Sequence, residues 1–445
     1  MTLFLKSNFL YGEEFELKEG TLVIENGIIS DFLEGSNIKP ESNEISVNEQ
    51  TNNKDVFLKY NGLVIPSFNN LHTHIGDSAI KDVGINKSLD ELVKPPHGLK
   101  HRFLNNCSDK DIVNGMISGM YELYENGTHI FCDYRENGLK GINLLNSALK
   151  LFNASLKDNY NSINKSNSKN LLKPYILGRP TVRLENENKN KNSQENCLNK
   201  NDFNESELKK EIFQILDFSQ GIGLSGLNEY EDCELKFIRN VIDEYNKTIR
   251  DGKKVFSVHA GEHEGSVQYS RKNYGLSEIE RLISLELKPD FIIHAVHVSN
   301  QEIKQLKENN IPLVICPRAN ASFNVGLPKI RELHKEGILM AIGTDNFMAN
   351  SPSIFKEMDF IYKLYHLEPL EILKMATING NKILGNSNKE YDNLGLIKEG
   401  FKPNFNFINY NFENSKNIIA TLITRCESKN IDTKFKHMFE NFISL

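Results

Sequence analysis

The sequence lacks the features that would place the chain in a membrane or in an oxidising compartment. None of its apolar stretches approaches the roughly 20 residues that a membrane-spanning helix needs. Residues 1–7 do not show the charged region, long apolar region and cleavage site of a secretory leader. The six cysteines are scattered, and no two form a Cys-x-x-Cys pair. We therefore expect a cytoplasmic protein with reduced thiols and no membrane partner.

The chain also has no excess of positive charge. Its 53 lysine and arginine residues are outnumbered by 59 acidic residues, which gives a net charge of −6. A general nucleic-acid binder needs a basic surface. The Pro-Cys-x-x-Cys motif of the zinc deaminases that act on nucleic acids is absent as well. We expect a small-molecule substrate and no nucleic-acid partner.

What the sequence does contain is a pair of histidines at the end of an apolar run, residues 64–74. His72 and His74 are one residue apart, and residues i and i+2 of a strand point to the same face. Both imidazoles can therefore aim at one point, which is half of a site for a divalent metal. Alone, the pair is a weak signal, because His-x-His also occurs by chance.

Three later apolar runs end in the same kind of residue. They end at His259, His294 and Asp345, and Glu262 follows His259 by three positions. A zinc site uses histidine and carboxylate ligands and keeps an open position for water. Four strand ends that present such side chains indicate one convergent metal site.

In this order and spacing, these residues resemble the metal-dependent amidohydrolase superfamily, in its deaminase and chlorohydrolase branch. The stretch Cys316-Pro317-Arg318-Ala319-Asn320 is similar to the family's strand-seven motif. The resemblance covers the chain from about Leu63 to Gly400. The matching positions are His72, His74, His259, Glu262, His294 and Asp345.

The alternation of apolar runs with helical stretches indicates the fold class. Strand-like runs at residues 129–133, 174–178 and 221–225 lie between the run that ends at His74 and the run that ends at His259, and segments of helical periodicity separate them. Eight strands with helices between them predict an α/β fold, a (β/α)8 TIM-like barrel, with its active site at the carboxyl ends of the strands.

The resemblance implies a second, smaller domain beside the barrel. The barrel would span residues 62–397, and a small discontinuous β-sandwich domain would combine residues 1–61 with residues 398–445. Two Asn-rich segments, near residues 153–170 and 186–204, contain too little apolar surface to offset the entropy of ordering. They are predicted to be surface loops inserted into the barrel.

The resemblance also implies a ligand set for one divalent metal ion. The implied ligands are His72, His74, His259 and Asp345. Many family members hold two metals bridged by a modified lysine at the end of strand four, but residues 221–227 contain no lysine. We therefore expect one ion. Zinc suits imidazole and carboxylate ligands, and Fe2+ or Mn2+ would fit the same set.

Three residues are expected to carry the chemistry. Asp345 would contact the metal and accept a proton from the attacking water. Glu262 would shuttle a proton from the attacking water to a ring nitrogen or a leaving amine, and His294 would orient the water and stabilise charge in the tetrahedral intermediate. A catalytically inactive metal-binding scaffold would show decay at these positions, whereas all three hold the expected residue type.

The loop after the first barrel strand guides the expectation about substrate. Around Lys100 only basic residues are found, where nucleoside-deaminating relatives tend to place an acid. This speaks against a plain nucleoside and favours a substrate with an anionic group. The candidate substrate-binding residues are His101, Arg102, Arg183, His297 and Arg318, with Arg179 as an alternative to Arg183. Ion pairing at the barrel rim is the competing explanation for the arginines.

The leading hypothesis is hydrolytic deamination of a small amino-substituted heterocycle, purine- or pyrimidine-like. Hydrolysis of a cyclic amide or imidazolone-type ring is the alternative within enzymes, and an inactive scaffold is the alternative of another class. Because relatives are often dimers or larger, a homodimer is an additional expectation.

Overall fold

The computed structural model describes residues 2–35, 46–48, 55–84, 86–93, 98–159, 171–184, 202–250 and 252–443. The strands are β1 (Thr2–Tyr11), β2 (Glu16–Glu25), β3 (Ile28–Glu34), β4 (Ser46–Asn48), β5 (Asp55–Pro66), β6 (Phe68–His74), β7 (Thr128–Arg135), β8 (Lys173–Gly178), β9 (Gly221–Leu224), β10 (Val255–Ala260), β11 (Phe291–His294), β12 (Leu313–Ile315), β13 (Met340–Ile342), β14 (Asp345–Asn346) and β15 (Phe405–Ile408). The helices are α1 (Leu89–Val93), α2 (Leu99–Asn106), α3 (Asp109–Glu125), α4 (Gly138–Asn159), α5 (Asp202–Phe218), α6 (Asp232–Asn246), α7 (Glu264–Tyr274), α8 (Glu278–Ser284), α9 (Asn300–Glu308), α10 (Pro317–Ser322), α11 (Ile330–Lys335), α12 (Ile354–Tyr365), α13 (Pro369–Ala376), α14 (Ile378–Gly385), α15 (Ile418–Arg425) and α16 (Thr433–Ile443).

Strands β6 to β14 pair side by side in a parallel sheet that curls into a barrel. The pairing runs in order from β6 to β13. The eighth strand is interrupted, because β13 pairs with β12 whereas β14 pairs with β6. The two residues between them bridge both neighbours: Gly343 N–H donates to the Ile315 carbonyl at 3.0 Å, and Thr344 N–H donates to the His72 carbonyl at 3.1 Å. The predicted α/β, TIM-barrel-like fold is confirmed.

Several helices of the barrel begin at a capping box that the sequence encodes. In each, a serine side chain accepts a hydrogen bond from the backbone three residues on, and the acidic residue there accepts one from the serine backbone. The pairs are Ser108 with Asp111, Ser277 with Glu280 and Ser299 with Glu302. No helix in the described part of the chain is both long enough and apolar enough to cross a membrane.

A second sheet joins the two ends of the chain. Its strand order is β15-β5-β1-β2-β3, with β4 on β5, and the chain enters the ring directly from β5. Helix α16 covers one face, where the Phe405 and Phe439 rings stack at 5.4 Å and the Phe407 and Phe435 rings lie 4.8 Å apart. Within the described ranges these strands form one sheet under a helix, not the two facing sheets of a sandwich. The domain boundaries at 61 and 398 stay a prediction.

The first Asn-rich segment is partly helical, which corrects the loop prediction there. Helix α4 continues to Asn159 because buried Leu145, Leu149, Phe152 and Leu156 recur at helical spacing. The many polar residues of this segment make the apolar periodicity of α4 hard to recognise in the sequence. Residues 160–170 and 185–201 lie outside the described residues, and α5 begins at Asp202, inside the second predicted insertion.

Candidate active site

Four strand ends bring the predicted metal ligands and His294 to one point inside the barrel mouth. His72 Nε2 lies 3.1 Å from His259 Nε2 and 3.1 Å from Asp345 Oδ1. His74 Nε2 lies 3.5 Å from the same oxygen of Asp345. The donor atoms of His72, His74 and His259 lie within 4.8 Å of one another, as do those of His72, His294 and Asp345. All five side chains are buried.

The protonation of this cluster suits a cation. His259 Nδ1 lies 2.8 Å from the Leu224 carbonyl and must donate to it, which leaves a lone pair on Nε2. Burial lowers the pKa of His72 to about 3, with Lys100 contributing, and lowers that of His259 to about 3, with His72 contributing. Burial also holds the pKa of His74 well below its usual range. The neutral imidazoles and the carboxylate therefore place several nitrogen and oxygen lone pairs close together, where they repel one another. A divalent cation bound between them would remove this repulsion.

Strand periodicity explains how His259 reaches this point. Phe256 and Val258 pack into the outer core between the strands and the helices, so Ser257 and His259 face the barrel axis.

At the ends of two other strands the backbone is left-handed, which breaks the alternation of side chains. His294 has φ of 76°, and Asp345 has φ of 63°. A left-handed backbone at non-glycine residues is costly and is concentrated at functional sites.

The end of strand four offers no group for bridging a second metal. β9 ends at Leu224, whose carbonyl is taken by His259, and Ser225 follows with its hydroxyl donating to Glu229 at 2.7 Å. Lysine is absent from this stretch, as the sequence indicated. This arrangement favours a single ion.

Glu262 and His294 face each other beside the cluster. His294 Nε2 lies 3.7 Å from Glu262 Oε1, and both residues line the pocket. His294 Nδ1 lies 3.1 Å from the amide nitrogen of Asn320, which donates to it. Nε2 therefore carries the proton and points toward Glu262. Burial holds the pKa of His294 well below its usual range, so the ring is a neutral hydrogen-bond donor.

A pocket of about 730 Å³ opens over these residues. Its wall includes His74, His259, Glu262, His294 and Asp345. Drug-sized ligands occupy pockets of roughly 300–1,000 Å³, so this one admits a substrate larger than a single ring.

Three of the predicted substrate-binding residues are not brought into the pocket. Arg318 at the start of α10 lies 3.4 Å from Glu357 Oε1 and donates to the Ser351 carbonyl at 3.3 Å. Arg102 is exposed on α2, and His297 Nε2 lies 2.5 Å from the Val325 carbonyl. None of the three lines the pocket that the described residues form. Pairing with Glu357 explains the position of Arg318, because the fully buried Glu357 carboxyl requires a hydrogen-bond partner.

Replacing Arg318 by alanine should therefore change stability and leave substrate binding unchanged. Burial raises the pKa of Glu357 to about 8 even with Arg318 beside it, so the isolated carboxyl would stay protonated. The lost hydrogen bonds should lower the free energy of unfolding by about 2 kcal/mol. Urea denaturation and steady-state kinetics measure the two effects. A steep rise in KM at unchanged stability would restore Arg318 to the binding role.

The other two predicted binding residues line the pocket but already have partners. His101 Nε2 lies 2.9 Å from the Val93 carbonyl. Arg183 Nε donates to Glu234 Oε1 at 2.8 Å, and its guanidinium lies 4.0 Å from the centre of the Tyr230 ring. Through these contacts, both residues stabilise the wall of the pocket.

The sequence reasoning missed the buried charge cluster beside the histidines. Lys100 Nζ lies 2.9 Å from Asp77 Oδ2 and 2.8 Å from Glu136 Oε1, and Arg179 Nη2 lies 3.5 Å from the same Glu136 oxygen. Glu136 directly follows β7, so the rule that located the histidines at strand ends could have found it. In the sequence, Lys100 stands out only as part of a basic loop.

Comparisons with known proteins agree with the fold. The model of the amidohydrolase family matches residues 63–435. An uncharacterized protein of Methanocaldococcus jannaschii is 48% identical over 431 residues, 96% of each chain. A 5-methylthioadenosine/S-adenosylhomocysteine deaminase of Pyrococcus furiosus is 25% identical over 421 residues, 90% of this chain and 84% of its own. A zinc-bound adenosine deaminase structure from Xanthomonas campestris shares the fold, with a TM-score of 0.66 and 14% identity over 96% of this chain and 90% of the other.

Proposed function

Because the chain belongs to the amidohydrolase family and is a hydrolase of carbon–nitrogen bonds other than peptide bonds, we propose that it deaminates a small amino-substituted heterocycle, purine- or pyrimidine-like. The observation that carries the proposal is the Glu262–His294 pair, which lines the pocket next to the histidine cluster. A positioned carboxylate beside a neutral imidazole donor is what protonation of a ring nitrogen and departure of ammonia require.

The buried donors fit one divalent metal ion, which we propose to be zinc. His72, His74, His259 and Asp345 would hold it, and the absence of lysine at the end of β9 favours a single ion. When bound, such a metal lowers the pKa of a water molecule toward neutrality. Fe2+ and Mn2+ suit the same donors.

The chain's own residues would carry out the proton transfers and stabilise the developing charge. Both protons of the attacking water are moved by carboxylates: Glu262 carries one to the ring nitrogen, and Asp345 accepts the other and passes it to the amine, which leaves as ammonia. His294 Nε2–H donates to the oxygen that becomes negatively charged as the ring carbon turns tetrahedral. Asn320 fixes the tautomer that makes this donation possible, since its amide occupies Nδ1.

The lining of the pocket does not favour the anionic substituent expected from the sequence. Five carboxylates and three basic side chains line the pocket among the described residues. The carboxylates are Glu136, Glu229, Glu262, Glu278 and Asp345, and the basic residues are Lys100, Arg179 and Arg183. Because the acidic side chains outnumber the basic ones, this lining disfavours an anion until the metal is bound.

A cytoplasmic location and a homodimer stay proposals from the sequence.

Ammonia release tests the proposal. We would assay zinc-loaded protein against aminopurines, aminopyrimidines, pterins and their nucleosides and nucleotides, with Glu262→Gln as control. Ammonia from at least one compound, lost in the control, is the expected result. Ring opening without ammonia would support the cyclic-amide alternative instead. No reaction with either class would favour the inactive scaffold.

A further inference from the structure

One carboxylate of the pocket wall, Glu278, has no part in the proposed chemistry. It is the first residue of α8 and is only 2% exposed, although it lines the pocket together with Glu262. Its Oε2 accepts a hydrogen bond from the Gly261 N–H at 2.8 Å. Its Oε1 accepts from the Ser266 hydroxyl at 2.6 Å and from the Asn228 side-chain amide at 3.1 Å. Both oxygens therefore have partners within the chain.

The Asn228 side chain fixes the direction of these hydrogen bonds. Its Nδ2 also lies 2.9 Å from the Ser266 carbonyl and 2.9 Å from the Ser266 hydroxyl. A carbonyl can only accept, so the amide nitrogen of Asn228 must face Ser266, and the hydroxyl is left to donate to Glu278. Burial raises the pKa of Glu278, and the hydrogen bonds from Ser266 and Gly261 act against that rise. Three donors thus converge on a carboxyl group whose two oxygens act as acceptors.

Two of these donors lie on either side of Glu262 along the chain. Gly261 directly precedes Glu262 and follows the last residue of β10, and its N–H is buried and needs an acceptor. Glu278 provides that acceptor, and the His297 N–H donates to the Gly261 carbonyl at 2.9 Å. Ser266 lies in the first turn of α7, four residues after Glu262. Glu278 therefore holds the backbone before Glu262 and the helix after it.

We propose that Glu278 is a positioning residue for Glu262. By holding the loop between β10 and α7, it keeps the Glu262 carboxylate beside His294, where it can reach the ring nitrogen. Such placement matters because a displacement of about 1 Å can cost about 10²-fold in rate. Glu278 does not bind the substrate, since groups of the chain occupy both of its oxygens. The proposal rests on the proposed function in one respect, the role of Glu262 as the carrier of a proton.

A double-mutant cycle separates this role from a merely structural one. In zinc-loaded wild-type protein, Glu278→Gln should lower kcat for ammonia release by about 10-fold to 100-fold and leave KM and metal content unchanged. The glutamine amide places N–H groups where Gly261 or Ser266 also donates, so one of these hydrogen bonds is lost. In Glu262→Gln protein, whose residual rate is measured at high enzyme concentration, the same change should alter kcat by less than about twofold. Equal losses in both proteins, or no loss in either, would overturn the proposal.

Hydrogen exchange followed by mass spectrometry gives a second readout that needs no turnover. In zinc-loaded protein, Glu278→Gln should speed the exchange of the amides of residues 260–266 by about fivefold or more, while other segments of the barrel exchange at the wild-type rate. If wild-type protein releases no ammonia from any compound, the proposed deamination fails, but faster exchange here would still support the positioning of Glu262 by Glu278. Unchanged exchange of this segment would overturn the positioning role whatever the activity.

Asp290→Asn is the matched control. Asp290 Oδ2 accepts a hydrogen bond from the Phe256 N–H at 2.8 Å, so it also holds the backbone of β10, but at the end of the strand away from the pocket. This variant should keep the wild-type kcat and the wild-type exchange of residues 260–266. If Glu278→Gln fails to fold, Ser266→Ala replaces it in both experiments, because it removes the hydroxyl that donates to Glu278. Its smaller loss of kcat should likewise disappear in Glu262→Gln protein, and a loss that persists there would contradict the proposal.

Discussion

Replacing Glu262 by glutamine lowers kcat for ammonia release by about 10³-fold, within the range that general acid–base groups contribute. The amide cannot carry a proton between the attacking water and the ring. Glu262 lies 3.7 Å from His294 and is not one of the four proposed ligands, so the metal content should stay the same. KM should change little, since the shape of the side chain is kept. Steady-state kinetics and metal analysis of the same preparation measure both.

The matched control is Glu264→Gln, which removes the same charge two residues along the chain. Glu264 is exposed on α7, where it accepts from Gln268 at 3.0 Å, and we expect wild-type kinetics for this variant. If Glu262→Gln kept wild-type kcat, proton transfer would have to be assigned to another residue. If it lost metal, Glu262 would be a ligand.

Asp345→Asn should be the more damaging change, with a loss of kcat of about 10⁴-fold and a fall in metal content. Asparagine accepts no proton from water and is a weaker ligand than a carboxylate. The variant should still fold, because asparagine tolerates the left-handed backbone that residue 345 adopts, with φ of 63°. Mass spectrometry for the metal and ammonia release for activity give the two readouts.

Asp109→Asn serves as the control for this substitution. Asp109 is an exposed aspartate on α3 whose Oδ1 lies 2.8 Å from Lys140 Nζ, far along the chain from the site. It should keep both metal and activity. An Asp345→Asn protein with full metal content and wild-type kcat would remove Asp345 from both roles.

The metal cluster was predictable because a simple rule locates it. Parallel strands of a barrel end at the same rim, so apolar runs that end in His74, His259, His294 and Asp345 must converge there. Alternation along a strand then fixes which side chains face inward, as it does for His259. Neither step needs knowledge of the loops.

The substrate wall was not predictable in the same way. Lys100 is buried because it meets Asp77 and Glu136, which come from two other segments of the chain. Arg318 leaves the pocket because buried Glu357 on α12 holds it. No local sequence pattern encodes these contacts between basic and acidic side chains from distant segments. The sequence therefore shows which residues are charged but not which of them are paired. The one sheet under α16 likewise depends on contacts between the two chain ends.

A zinc titration of metal-free protein, with ammonia release followed on the best substrate from the panel, tests the single metal site most directly. We predict no ammonia without metal and a rise that ends at one equivalent of zinc per chain. Glu262→Gln should bind the same single equivalent and release no ammonia at that point. Full activity without metal, or a rise that ends at two equivalents, would contradict the single site of His72, His74, His259 and Asp345.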